Sequence, residues 1–422
     1  MANLISAEAA SPAKKNFGLS IWKDIYRPET KPARFLSVLA LFGISYGLYR
    51  GIQDNYLAEI VHISAFERGI VEFFREIPGL LVVLLLAWMY RFTEGRIFKI
   101  GIALMAGGLI GLLLCGSGKS IVVLFMVFFS SGEHIIMPVR TTISLDLAQP
   151  NKGGASLGIT SAIGHVGNIT GFIVVTGLFF LFSRLGFPRG DLRFKVVFAA
   201  AVGLMIAAVL VVLALQESAL KVKRRRFYFS RKFVKYYMLE VFYGARKQIF
   251  ITFAPYVLIL YYRADTSIIS LLLAICAGFG ILLSPLTGRL IDKLGYKFIM
   301  VTDTLLLIVV CFFYGFAHRL FPPRIAFIVV CVNYVLDSII SMASMASNVY
   351  VQDIASSQEE ITATLSTGVS VNHVISILIA LMGGWIWKVT GIEVLFCLSA
   401  FLGLLNSIYA ATITSNHRVP SP

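Results

Sequence analysis

The sequence predicts an all-α polytopic membrane protein, with twelve transmembrane helices in two pseudo-symmetric six-helix bundles. Three observations predict it. The 422-residue chain is 58% hydrophobic and only 14% charged, with a mean hydropathy of +0.82, whereas soluble domains carry about 25% charged residues. Apolar runs of about 18 residues or more, enough to cross a bilayer as a helix, recur from end to end. Landmarks of the first half return in the same order in the second. The alternating ten-residue strands of an outer-membrane barrel do not occur in the sequence. Helices satisfy their backbone polar groups within each segment, as a span in lipid must.

The expected spans lie near residues 35–58, 69–90, 97–117, 120–143, 155–182, 194–215, 234–262, 267–290, 297–317, 325–347, 361–387 and 391–414. They divide the chain into an N-terminal tail (1–34), an N-terminal bundle (35–216), a basic linker (217–233), a C-terminal bundle (234–415) and a short tail (416–422). The first 34 residues lack the short apolar core and small-residue cleavage site of a signal peptide. Within them Phe17, Leu19, Ile21, Trp22, Ile25 and Tyr26, with Lys14, Lys15, Lys23 and Arg27, read as a short interfacial helix or as a disordered tail.

The net charge is +15. The basic residues cluster in loops between spans, where they set orientation rather than bind nucleic acid. One side holds the tail, Arg91, Arg96, Lys99, Lys152, the Lys221–Arg226 run, Arg231, Lys232, Lys235, Lys293 and Lys297; the other holds Arg68, Lys119, Arg263, Arg319, Arg324 and Lys388. This bias predicts a multi-pass protein of the inner or plasma membrane with both termini in the cytoplasm and its basic loops at anionic headgroups. The outer segment 184–195, with Arg184, Arg189, Arg193 and Lys195, runs against it. Cys115, Cys276, Cys311, Cys331 and Cys397 fall inside apolar runs without metal-ligand spacing and read as packing residues. No metal or cofactor is expected. The absence of nucleophile–base spacing and of a nucleotide-binding loop argues against an enzyme and leaves a gradient as the energy source.

A charge in the hydrocarbon core costs roughly 2.5–3.5 kcal/mol on insertion scales, so such residues turn inward and are used. Span one carries Tyr46, Gly47, Arg50 and Asp54; span seven carries Tyr243, Gly244, Arg246 and Lys247. Asp54, one turn beyond Arg50, reads as a packing partner of Arg50 or as a carboxylate that competes for it with an anionic ligand. Arginine suits bidentate recognition of carboxylate or phosphate. Lys247 lies at a similar depth, and Arg246, about 100° around the helix, reads as the partner of a neighbouring helix. Two cations facing across an empty cavity repel, and an anion relieves the repulsion. Span four holds Glu133 and His134, span five His165 and Asn168, span ten Asn333 and Asp337, and span eleven Asn372 and His373. The histidines read as packing or as pore-lining groups, and Asp54, Glu133, His134 and Asp337 as proton-coupling candidates. Arg140 reads as a partner of Asp146 or of headgroups. Glu72, Arg75 and Glu76 read as an outer gate or as a solvated salt-bridge cluster.

The halves overlay with Arg50 on Lys247, the end of span two on Gly288–Lys297, and His165-Val166 on His373-Val374, the offset growing from 197 to 208 residues. Parallel six-span repeats mark transporters with a substrate site at midplane between the halves. Gly288-x-x-x-Asp292-Lys293-x-Gly295-x-Lys297 resembles the loop motif that follows span eight in the major facilitator superfamily; the first-half copy has Arg91 in place of the acid and Glu94 inserted. The resemblance implies that family's fold, a monomer working by alternating access, and a conformational motif in which Asp292 caps a helix end in one state. The glycines of span five, Gly158, Gly164, Gly167 and Gly171, read as packing contacts, without the Gly-Pro of the drug-antiporter motif.

Phe42–Arg50, Val241–Pro255 and Pro138–Gly154 are similar to segments of the glycerol-phosphate/phosphate antiporters. That resemblance implies that Arg50, Lys247 and His165 grip an organophosphate, although His165 stands two residues out of step and Arg246 is extra. The expectation is a secondary active transporter of a small organic anion, carboxylate or organophosphate, by anion exchange or proton coupling. Its substrate-binding residues are Tyr46, Arg50, His165, Tyr243, Arg246, Lys247, Asn372 and His373. The alternatives are a proton-driven exporter of amphiphilic or cationic compounds, with Glu133, Asp54 or Asp337 taking the cation, and a transport-dead sensor.

Overall fold

Residues 24–89, 91–188, 190–215 and 228–414 are described in the computed structural model. Most of the expected interfacial segment, most of the basic linker and the C-terminal tail lie outside them.

The helices follow the apolar runs: α1 (Pro32–Ile60), α2 (Ala65–Trp88), α3 (Glu94–Cys115), α4 (Lys119–Leu147), α5 (Gly153–Arg184), α6 (Asp191–Leu213), α7 (Val234–Leu260), α8 (Thr266–Leu294), α9 (Tyr296–Leu320), α10 (Pro323–Ile354), α11 (Gln358–Thr390) and α12 (Ile392–Ala411). Ten are long and apolar enough to cross a membrane by composition alone. The other two, α2 and α7, carry clusters of charge, Glu67 to Glu76 and Glu240 to Lys247. Helix α1 ends in a π turn, Tyr56–Ile60. Helix α10 runs past the expected end near 347 to Ile354, through a 3-10 turn at Ser341–Ser344.

Packing repeats between the halves. In the first, α1 packs on α5 and α6, α3 on α4 and α6, and α2 on α4; in the second, α7 packs on α11 and α12, α9 on α10 and α12, and α8 on α10. The halves meet along α2–α11 and α5–α8, two seams exchanged by the same repeat. Small residues bring backbones close without a hydrophobic driving force, as in lipid they must. A Cβ on Gly47 would strike the Asn168 carbonyl of α5, and one on Gly167 would come within 2.9 Å of Gly43 Cα. Leu84, Leu114, Leu210, Leu282, Val309 and Phe401 are exposed. In water such an apolar surface is a liability; in a bilayer it is the solvated face.

The seams are closed at the end away from the chain termini. There Asn55 Nδ2 donates to the Ala264 carbonyl at 2.9 Å, Ser270 Oγ to that of Phe172 at 2.8 Å, and Thr176 Oγ1 to that of Ser267 at 3.3 Å. A Cβ on Gly384 of α11 would lie 2.9 Å from the Phe66 carbonyl of α2. Toward the termini, Gly154 and Gly158 on α5 and Gly278, Gly280 and Gly288 on α8 have open space where a Cβ would sit.

Two expectations about basic residues change. Arg68 is not a loop cation but the fourth residue of α2, with no exposed surface. Among the described residues of the basic segment 184–195, Arg193 donates to the carbonyls of Pro188 (2.9 Å) and Phe187, Lys195 pairs with Asp191 at 2.6 Å, and Arg184 lies over the Phe180 ring. Arg193 and Lys195 thus find their partners within the segment itself, and Arg184 one turn before it.

Candidate functional site

Helix α2 is set up for a charged seam. Its N-terminus is fixed by a capping box between Ser64 and Glu67. Residues 68, 72, 75, 76 and 79 then follow at spacings of three and four or their sums, on one face. Arg68 Nη2 lies 3.2 Å from Asp54 Oδ1 and its Nη1 2.8 Å from Glu72 Oε2, with the guanidinium over the Tyr256 ring of α7. Arg75 Nη2 is 2.5 Å from both Glu72 Oε1 and Glu76 Oε1, and its Nη1 3.9 Å from Glu133 Oε2. The second half joins through Gln248, which donates to Glu72 at 3.2 Å, and His373, whose Nδ1 is 2.8 Å from Glu76 Oε2. The cluster is buried rather than solvated: Arg68 and Glu72 have no exposed surface. The cost of burying these ions is met only because each is paired and hydrogen-bonded.

Asp54 is therefore the partner of Arg68, not of Arg50. Arg50 is half-buried and donates to Gln53 Oε1 at 2.8 Å. Beside it Tyr46 donates to Glu133 Oε1 at 2.8 Å. Across the repeat, Tyr243 donates to the Ser341 carbonyl of α10 at 3.2 Å. Both tyrosines thus tie the first helix of a half to its fourth. Arg246 is buried and turned to α9, 3.8 Å from Asp303, while Lys247 is half-buried with its Nζ 5.8 Å from the Tyr243 ring. Tyr334 on α10 lies within electrostatic range of both Arg50 and Asp337, which brings Asp337 toward the centre.

Arg140 does not pair with Asp146. It is half-buried, within electrostatic range of Glu133 and Tyr46, and His165 is exposed within range of Arg140. Among the described residues, Arg50, Arg140 and Lys247 have no carboxylate at ion-pair distance. Asn372 donates to Glu240 at 3.3 Å, and Ser347 to the same carboxylate at 3.1 Å. His134 is buried with its ring 5.1 Å from that of His373. The matched histidines of the repeat thus part company: His373 sits in the α2–α11 seam and His165 does not.

Sequence reasoning missed Glu240 and Asp303, isolated acids without a spacing pattern, and the burial of Arg68, which its spacing to Glu72, Arg75 and Glu76 signals. In the loop motif, Gly295 adopts φ +86° between α8 and α9, a left-handed conformation that favours glycine. Asp292, Lys293 and the neighbouring Leu294 are exposed, Gly288 and Lys297 half-buried, and Tyr296 ties the turn to α10 by donating to Asp353 at 2.9 Å. A separate cavity of about 420 Å³, bordered by Glu59, Phe179, Arg193, Arg263 and Thr266, lies beyond the closed seam and touches none of the expected site residues.

Residues 35–371, and again 236–422, match the family model described as Major Facilitator Superfamily. No curated protein matches the sequence. Among solved structures the chain is similar to the nucleoside transporter NupG (15% identity, TM-score 0.68, covering 90% of this chain and 97% of that one). It is also similar to a D-xylose-proton symporter (14%, 0.71, 90% and 97%) and to a bacterial homologue of the human lysosomal transporter Spinster, in an inward-facing and occupied conformation (15%, 0.66, 90% and 95%). At these identities the likeness is one of fold.

Proposed function

Because this chain belongs to the Major Facilitator Superfamily, and so is a multi-pass membrane transporter rather than an enzyme, we propose that it moves a small organic anion, a carboxylate or organophosphate, by alternating access. One observation carries this reading. Arg68, Arg75 and Arg246 each have a carboxylate partner, while Arg50, Arg140 and Lys247 have none at ion-pair distance among the described residues. Cations kept at a protein centre without counter-ions favour a ligand that brings the charge.

In this reading the anion enters from the open, termini-bearing end, which the loop charges assign to the cytoplasm. It is held between Arg50 and Lys247, with Tyr46 and Tyr243 fixing the helices that carry them. Arg140 and His165 line the way in. Neutralising the opposed cations lets the termini end close, after which the α2 seam opens. Asp337 is the candidate for a coupled proton, exchange being the other source of drive; the protein acts as a monomer with its basic linker at anionic headgroups. Of the three carboxylates that the exporter reading offers to a cation, Glu133 already accepts from Tyr46 and faces Arg75, and Asp54 is paired with Arg68, which leaves Asp337.

A thermal-shift screen of the purified protein against organic phosphates, carboxylates and amphiphilic cations tests the proposal. An anion that raises the melting temperature of the wild type, and not of Arg50→Gln or Lys247→Gln, supports it; a response to cations alone, or one unchanged in both variants, overturns it.

A further inference from the structure

Three side chains from three helices converge on the α2–α11 seam: Glu76 of α2, His134 of α4 and His373 of α11. Each offers one ligand atom, and these atoms lie within 4.8 Å of one another. Donors around one zinc ion at ~2.0–2.2 Å are roughly 3.3–3.5 Å apart in a tetrahedron, so side-chain rotation suffices to close the set. Nothing in the anion reading uses it.

The surroundings are built for it. His134 Nδ1 lies 2.8 Å from the Ser130 carbonyl, an acceptor, so Nδ1 carries the proton and Nε2 the free lone pair. Ser130 is itself anchored, its hydroxyl donating to the Arg75 carbonyl at 2.5 Å. Position 79 is glycine, and a Cβ there would fall 2.6 Å from His134 Nε2 and 2.7 Å from His373 Cε1. The missing side chain is the space in which the imidazoles meet. Charge permits a cation: Arg50, Arg68, Arg75 and Arg140 stand among Asp54, Glu72, Glu76 and Glu133, a balanced set with no net positive charge to oppose one. His373 keeps 18% of its side-chain surface exposed, a way in for a small ion.

We propose that Glu76, His134 and His373 form a site for a divalent transition-metal ion of the zinc type, which clamps the two halves together at the end away from the termini. Two imidazoles and a carboxylate suit zinc, cobalt and nickel, and not magnesium or calcium, which need more oxygen ligands. Two ligands belong to the first half and one to the second, so the set exists only while that end is closed. A bound metal selects the closed seam and slows transport.

The test uses the full chain, purified in detergent and stripped with a chelator. Zinc at tens of micromolar should raise the melting temperature by several degrees, EDTA should reverse the rise, and magnesium should have no effect. His134→Ala and His373→Ala should each lose the rise, while His62→Ala, altered at an exposed loop histidine, should keep it. Cobalt bound to the wild type should give the visible absorption of a tetrahedral nitrogen-ligated ion, a readout that needs no variant to fold. No rise at a large excess of zinc and cobalt, or an equal rise in a protein carrying both histidine substitutions, overturns the proposal. The readout contains no organic anion, so its failure and that of the anion reading are separate results.

Discussion

Asp54 is held by Arg68 of α2, whose Nη2 lies 3.2 Å from its Oδ1, and not by Arg50 one turn away on its own helix. The most obvious ion pair in the sequence is thereby dissolved. One arginine is committed to the seam and the other is left with a single amide partner.

Arg50→Gln and Lys247→Gln should fold normally and lose anion binding. A hydrogen bond to a charged group contributes about 1.5–3 kcal/mol, so each substitution should weaken the anion by roughly 10- to 150-fold. Titration of the melting temperature with the responding anion measures it.

Arg68→Leu should behave oppositely. It leaves Asp54 and Glu72 buried without their partner, a loss of about 3–5 kcal/mol. The melting temperature should fall sharply, and adding Asp54→Asn should recover part of the loss. Equal stability of Arg68→Leu and the wild type would mean that the buried network contributes little.

Gly47→Val should prevent α1 from seating on α5, because any Cβ there meets the Asn168 carbonyl. Overpacking costs about 1–3 kcal/mol, and a backbone obstacle puts this case at the upper end. Gly158→Ala, with open space around it, should leave stability unchanged. Detergent-solubilised yield and melting temperature compare the two.

Phe66→Cys with Gly384→Cys, in a background without the exposed Cys115 and Cys397, should form a disulfide across the α2–α11 seam. A Cβ on Gly384 would lie 3.2 Å from Phe66 Cα and 2.9 Å from its carbonyl, at the short end of the usual Cα separation of about 4.4–6.8 Å, so the seam gives slightly to take the bridge. The cross-linked protein should stop transporting and recover on reduction.

The helices were legible because apolar length and loop charge are local properties: α4, expected near 120–143, is observed at Lys119–Leu147. Adjacent residues on a helix diverge by about 100°, so the sequence separates Arg246 from Lys247 without saying which of the two turns away, and only the contact with Asp303 on α9 does so for Arg246. What escaped were choices among partners from different helices. Spacing permits Arg50 to reach Asp54, but not to outcompete an arginine on α2. Proximity in the chain offers Arg140 either Asp146 or the headgroups, whereas the fold brings it within electrostatic range of Glu133. Glu76, His134 and His373 form no motif because each is a single ligand on its own helix, brought together only when the halves dock.

The distribution of charge across the seam has one further consequence. Every arginine–carboxylate pair of the seam joins residues of the first half, whereas the groups reaching over from the second are an amide, Gln248, an imidazole, His373, and the Tyr256 ring against Arg68. Pulling the halves apart therefore strips no carboxylate of its arginine. It exchanges a few hydrogen bonds, about 0.5–1.5 kcal/mol each, for bonds to water. On the proposed alternating-access reading, a seam dense in charge can then open without breaking an arginine–carboxylate pair, which keeps the opening reversible.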